Sequence, residues 1–428
     1  MITLILLGAF FGLLLLKVPV AAAMGLAALA GTAYLGFDIG VLTNVFYAAI
    51  AKNSLLAIPF FILTGVIMDY AGISSRLINF ANAMVGHRKG GLSVVTIITA
   101  CFFAAISGSG PATVAALGGV LIPAMEKDNY NKNFASALVA ASGGIGMVIP
   151  PSIPFVIFAM LTGQSVGTMF MAGVIPGILL GVLYSMAALW YINKYEHNIV
   201  VREKASTAVR METFKEALWG IMTPVIILGG IYSGLFTATE AAGVAVVYSL
   251  FVGCFVYKSI DMKAFIKLFL DSTVSSGLIM FIMGSAGVFT WILTTSGAAT
   301  LMSNALLKIS DSPIVLTLIM QLIFMIAGCF VDSASGFYLL LPILMPVVMK
   351  TGYPVYAFGV LATVNFAVGQ ITPPVGSNLF VACNIAKISM SDIVSKLGPF
   401  LIAGLASILL MSFFPQIITF LPTLLGLS

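Results

Sequence analysis

Hydroxyl-bearing residues, glycines and prolines gather at two places in this 428-residue chain, in Ser107-Gly-Ser-Gly-Pro-Ala-Thr113 and in Gly143-Gly-Ile-Gly-Met-Val-Ile-Pro-Pro-Ser152. Both interrupt runs so apolar that a continuous membrane helix is otherwise expected. A bilayer tolerates irregular backbone only where protein or a cavity surrounds it. Freed carbonyls and hydroxyls there can ligate a small cation, while half-helices beginning after Thr113 and Pro151 turn positive dipole ends toward an anion. Ser107, Ser109, Gly143, Gly146 and Pro150 are therefore candidate cation ligands, and Ser109, Gly110, Thr113 and Ser152 candidate contacts to an anionic solute. For one serine alone, a bond back to its own helix is the better reading. The pairing of two such clusters is what argues for a site.

The same plan recurs 223 positions later. Without a gap, Pro123 falls on Pro346, Gly146 on Gly369, Pro150 and Pro151 on Pro373 and Pro374, and Pro176 on Pro399; Lys17 falls on Glu240 and Asp38 on Asp261. Such agreement implies an internal duplication. The second pair of interruptions, Val331-Asp-Ser-Ala-Ser-Gly336 and Gly369-Gln-Ile-Thr-Pro-Pro-Val-Gly-Ser377, adds Asp332, Ser333, Gly369 and Thr372 as candidate cation ligands. It also adds Ser335, Gly336, Gln370, Gly376, Ser377 and Asn378 as candidate solute contacts.

Asp332 is the acid to explain, because it falls near mid-membrane, where an Asp costs about 2.5–3.5 kcal/mol on insertion scales. It either serves a cation or caps the helix that follows it, and both readings stand. No Lys or Arg is expected at that depth, so an anion would be held by dipoles, hydroxyls, amides and co-bound cations. His87 and His197 fall in loops, which argues against proton relay or metal chemistry through imidazole. Cys101, Cys254, Cys329 and Cys383 lie far apart in apolar runs and read as buried thiols.

These residues must be positioned by membrane helices. The chain is 61% hydrophobic and 8% charged, with a mean hydropathy of +1.14, which no soluble core can absorb. The fold class is an all-α polytopic membrane protein. The first helix lacks a basic n-region and a cleavage site and reads as a retained span. Spans are expected near 2–16, 18–36, 54–70, 132–162 (broken) and 168–193, and again near 218–236, 240–257, 277–294, 355–385 (broken) and 397–422. The stretches 91–126 and 313–350 have legs of about 15 residues, or about 22 Å, against a hydrocarbon core of about 30 Å. They read as re-entrant helical hairpins. Five crossings in each duplicated half, 1–193 and 218–428, then require inverted topology.

Charge gives an independent orientation. With the N-terminus outside, sixteen of the nineteen Lys and Arg face the cytoplasm, leaving Lys52, Lys308 and Lys350 outside. Both termini are expected outside, with the first hairpin opening from the cytoplasm. Residues 194–217 form a polar cytoplasmic connector. Segments 38–53 and 259–275 suit helices lying along the interface, either as bracing arms or as ordinary amphipathic loops. An intramembrane enzyme would need a paired nucleophile and base at depth, and the sequence offers none. A passive channel remains an alternative.

The motifs Ser107–Thr113 and Gly143–Ser152, with Thr237-Ala-Thr-Glu-Ala-Ala-Gly-Val-Ala-Val246 and Ile371-Thr-Pro-Pro-Val-Gly376, resemble the large membrane subunit of tripartite ATP-independent periplasmic transporters over essentially the whole chain. The resemblance implies an elevator transporter in a bacterial inner membrane, driven by a sodium gradient, with sodium as the ion at the cation ligands named above and no other cofactor. It implies two partners, a small four-helix membrane subunit and a periplasmic substrate-binding protein. Because no fused extension is present, the small subunit is expected to be separate. The overall likeness leans toward the sialic-acid branch, with C4-dicarboxylates next.

Overall fold

The computed structural model describes residues 2–427. The first half contains α1 (Ile2–Leu15), α2 (Val20–Leu35), α3 (Gly40–Ile50), α4 (Ala57–Tyr70), α5 (Ile73–Val85), α6 (Gly91–Ser107), α7 (Gly110–Lys127), α8 (Lys132–Ile145), α9 (Ile153–Thr162) and α10 (Val166–Tyr195). The second contains α11 (Thr207–Tyr232), α12 (Ala238–Phe251), α13 (Met262–Thr295), α14 (Ala298–Leu307), α15 (Pro313–Gly328), α16 (Ser333–Thr351), α17 (Val355–Gly369), α18 (Ser377–Ala386), α19 (Met390–Val394), α20 (Gly398–Phe413) and α21 (Gln416–Leu424). Among the described residues, six helical segments are long and apolar enough to cross a membrane, seven if the bent pair α20 and α21 counts as one.

The helices pack in two groups. In the first, α13 lies against α2, α3 and α4, while α1 packs on α2, α12 on α4 and α11 on α12. We call this group the frame. In the second, α6, α7 and α8 pack together, α10 lies on α6, α17 and α20, α15 packs on α16 and α17, and α18 wedges against α7 and α8. This is the core unit. The groups touch mainly where α13 meets α16 and α4 meets α6. Three covalent links join them: α5, packed on α6 and α11; α14, packed on α13 and α16; and the stretch between α10 and α11.

Local sequence explains the interruptions. Gly108, at φ +62°, ends α6 in the left-handed region, Ser109 is extended, and Pro111 opens α7 in a first turn that needs no amide donor. The α8–α9 and α17–α18 breaks each hold a cis peptide, Pro150–Pro151 and Pro373–Pro374. Ser152 caps α9 by accepting from the Phe155 amide at 3.5 Å.

Several expected boundaries are corrected. The polar connector is residues 196–206, because α10 runs through Tyr195 and α11 starts at Thr207, capped by Ser206. The segments expected near 259–275 and 277–294 are one continuous helix, α13, of 34 residues. At 1.5 Å per residue it is about 51 Å long, beyond a hydrocarbon core of about 30 Å. Thr273 and Ser275 donate back to the carbonyls of Phe269 and Asp271 at 2.7 and 2.9 Å, so the polar run does not break the helix. The expected span at 397–422 is bent by 61° between α20 and α21, at Pro415. Helices α5 and α14 lie where no element was expected.

Candidate functional site

The interruptions of both halves meet around one cavity of about 300 Å³. Gly110, Ile153, Ser333 and Ser377, the first residues of α7, α9, α16 and α18, all line it. Four helix N-termini therefore border one space, and each helix dipole places roughly half a positive charge at its end. The sequence places dipole ends after Thr113 and Pro151 and a capped helix start after Asp332; α7 instead opens earlier, at Gly110, because Gly108 and Ser109 already end the irregular stretch. Apolar Leu278, Ile279 and Ile282 of α13 form a wall that nothing in their hydropathy distinguished from lipid-facing residues. Among the described residues lining the cavity, Asp332 is the one charged side chain.

Each loop between paired helices is docked on a break. The Ile153 amide donates to the Gly108 carbonyl at 3.3 Å, and the Gly376 amide donates to the Cys329 carbonyl at 3.3 Å. A Cβ on Gly108 would stand 2.9 Å from the Pro151 carbonyl oxygen. These close approaches require the glycine as much as its φ does.

Ser109, Thr113, Gly143 and Gly146 converge. A Cβ on Gly146 would strike the Thr113 hydroxyl and lie 2.9 Å from the Gly143 carbonyl oxygen and 3.0 Å from that of Ser109. The Thr113 hydroxyl itself donates to Ser109 O at 2.8 Å. Three oxygens thus crowd one glycine. On the other side of the same helix start, a Cβ on Gly110 would lie 2.5 Å from Gln370 Oε1 and 3.0 Å from Asn378 Oδ1. Gln370 Oε1, Ser377 Oγ and Asn378 Oδ1 are buried with no hydrogen-bond partner. Such orphaned acceptors are costly unless a ligand completes them.

Other candidates are placed differently. Asp332 caps α16: Oδ1 accepts from the Ser335 amide at 2.9 Å and Oδ2 from the Ser335 hydroxyl at 3.0 Å. Thr372 donates to Val368 O at 2.8 Å, and Ser152 donates to Met147 O, so both hydroxyls serve their own segments. Gly369 faces the Gly328 backbone and Gly336 lies against the Phe366 ring, so both glycines serve close packing. Gly376, at φ +57°, forms the turn into α18. Ser107 lines a neighbouring cleft of about 370 Å³ between α4, α7 and α13, in which Tyr70 donates to Asp271 at 2.7 Å. The cleft shares Ser109, Ile153 and Ile279 with the cavity, so the two are contiguous. Asp69, Tyr70 and Asp271 were not singled out in the sequence, where they are ordinary polar residues near helix ends.

Residues 7–417 match the family described as "Tripartite ATP-independent periplasmic transporter, DctM component". The chain belongs to the DctM family. It is 39% identical over 414 residues to the isethionate TRAP transporter permease protein DctMQ of Oleidesulfovibrio alaskensis, covering 96% of this chain and 65% of that longer protein, a little under two thirds. It is 35% identical to the C4-dicarboxylate TRAP transporter large permease protein DctM of Rhodobacter capsulatus over the full length of both. It is 36% identical to the sialic acid TRAP transporter large permease protein SiaM of Vibrio cholerae, over 87% of this chain and 86% of that one. The crystal structure of the Alcanivorax borkumensis YdaH transporter shares the fold, with a TM-score of 0.61 at 15% identity over 90% of this chain and 89% of that one. This DctM-family permease is a multi-pass membrane protein and not an enzyme.

Proposed function

We propose that this DctM-family permease imports an organic acid bearing a carboxylate, coupled to sodium. The observation that carries the reading is a cavity bordered by four helix N-termini and orphaned amide and hydroxyl oxygens, with no cationic side chain lining it among the described residues. Helix ends attract an anion, but oxygen acceptors and Asp332 repel it unless cations are present. Co-bound sodium resolves that conflict. The crowded oxygens of Ser109, Thr113 and Gly143 are the ligand set we assign first, with the region of Asp332 and Ser333 second.

Movement of the core unit past the frame, as an elevator, would carry the cavity from one side to the other. The packing of the helices in two groups, which meet mainly where α13 lies on α16 and α4 on α6, supports this reading. The family description supports a periplasmic binding protein and a small membrane subunit as partners, and an inner membrane with both termini outside follows the charge bias. Identities of 39, 35 and 36% to relatives named for isethionate, C4-dicarboxylate and sialic acid do not separate those substrates. The lean toward sialic acid therefore draws no support from these identities.

The test is uptake into proteoliposomes holding the permease and its partners, with labelled N-acetylneuraminate, a C4-dicarboxylate and isethionate offered under an imposed sodium gradient. Accumulation of one of them only with inward sodium supports the reading. Equal accumulation in sodium-free medium overturns the coupling.

A further inference from the structure

The link between α10 and α11 is not free. Within residues 196–206 the Val200 amide donates to the Asp128 carbonyl at 3.0 Å, Arg202 Nε donates to Asp128 Oδ2 at 2.8 Å, and Asn129 Nδ2 donates to the Asn198 carbonyl at 3.4 Å. Asp128 and Asn129 sit in the turn between α7 and α8, inside the core unit, and the Asp128 side chain is only 13% exposed. Beyond Arg202 the chain crosses to the frame, where Ser206 caps α11; Arg210 Nε of α11 donates to the Ala83 carbonyl of the linking helix α5 at 3.2 Å. The other two links between the groups are helices, α5 and α14, whose lengths are fixed.

Chain geometry makes this docking consequential. From Tyr195 to Thr207 a released connector spans at most about 43 Å, but from a pinned Arg202 to Thr207 it spans at most about 18 Å. We infer that residues 196–202 form a strap whose attachment to the α7–α8 turn, clasped by Arg202 on Asp128, limits how far the core unit travels relative to the frame. The strap peels off during a full stroke. The inference rests on the elevator reading above and adds a specific limit to it. The sequence marks the segment as polar but cannot show it lying on the core unit, because Arg202 and Asp128 are 74 positions apart.

The test uses the complete transporter in liposomes, in a background with the four native cysteines replaced by Ala. Val200→Cys and Asn129→Cys are joined by a short reducible cross-linker, and reduction-stable gadolinium spin labels, coupled to azide-bearing residues introduced at exposed Val247 of α12 and Met186 of α10, report the distance between frame and core unit with and without a sodium gradient and substrate. The expected result is that cross-linking suppresses the distance change and lowers uptake at least tenfold, and that reduction restores both. A second arm inserts eight Gly and Ser residues between Lys204 and Ala205, adding about 29 Å of reach. In that variant the cross-linked protein should move and transport again. An unaltered distance change in the cross-linked protein, or failure of the insertion to rescue it, overturns the strap while leaving the elevator standing. No distance change even before cross-linking overturns the elevator reading and the strap with it.

Discussion

The Asn378 side-chain amide, in α18, donates to the carbonyl oxygen of Ala140, in α8, at 3.2 Å, and Asn378 has no solvent exposure. A residue of the second half thus closes on a helix of the first, and its remaining oxygen, Oδ1, is left beside Gly110 without a partner. One side chain ties the halves together and offers an acceptor next to the cavity.

Replacing Asn378 by Ala should therefore act on both stability and binding. Loss of a buried hydrogen bond costs about 1–3 kcal/mol where a partner is left unsatisfied. We expect a lower thermal midpoint in detergent together with weaker substrate affinity; unchanged values for both would remove Asn378 from the site.

Gly146→Ala and Gly110→Ala should each lower uptake at least tenfold, about 1.4 kcal/mol of transition-state stabilisation. The added methyl collides with the Thr113 hydroxyl in one case and stands 2.5 Å from Gln370 Oε1 in the other. Gly119→Ala is the control within α7, since nothing lies within 4 Å of its Cβ position. Uptake by all three variants at matched expression separates a defect in the site from a general intolerance of alanine.

Asp332 can be dissected by two substitutions. Asn retains an oxygen able to cap α16, whereas Ala removes it at about 0.5–2 kcal/mol. Asp332→Asn should keep thermal stability and raise the sodium concentration for half-maximal uptake, and Asp332→Ala should lose stability as well. If Asp332→Asn shows wild-type sodium dependence, Asp332 is a cap and nothing more.

How much was legible beforehand follows from what each residue competes with. The glycine and proline clusters at Ser107–Thr113 and Gly143–Ser152 are visible because an apolar run has no other reason to contain them. Helix α5 was not visible: its Arg76, Asn79 and Asn82 dilute the hydropathy, and it is stabilised by packing on α6 and α11. The continuity of α13 was missed because Asp271, Ser272, Thr273, Ser275 and Ser276 resemble a loop, whereas Thr273 and Ser275 bond back into the helix. Within the site, chain spacing singled out Thr372 and Ser152, but whether a hydroxyl faces a cavity or its own helix depends on side-chain direction, which spacing does not encode. The apolar α13 wall was equally unreadable, since Ile279 beside a cavity and an isoleucine beside lipid have the same hydropathy.

Among the described residues no cationic side chain lines the cavity, so the most direct test of sodium coupling is equilibrium binding of the transported acid to the purified complex, titrated with sodium at constant ionic strength against choline. We predict affinity that strengthens at least tenfold as sodium replaces choline, and that loses this dependence when Gly146→Ala disrupts the oxygen cluster. The same dissociation constant in sodium and in choline would contradict the account.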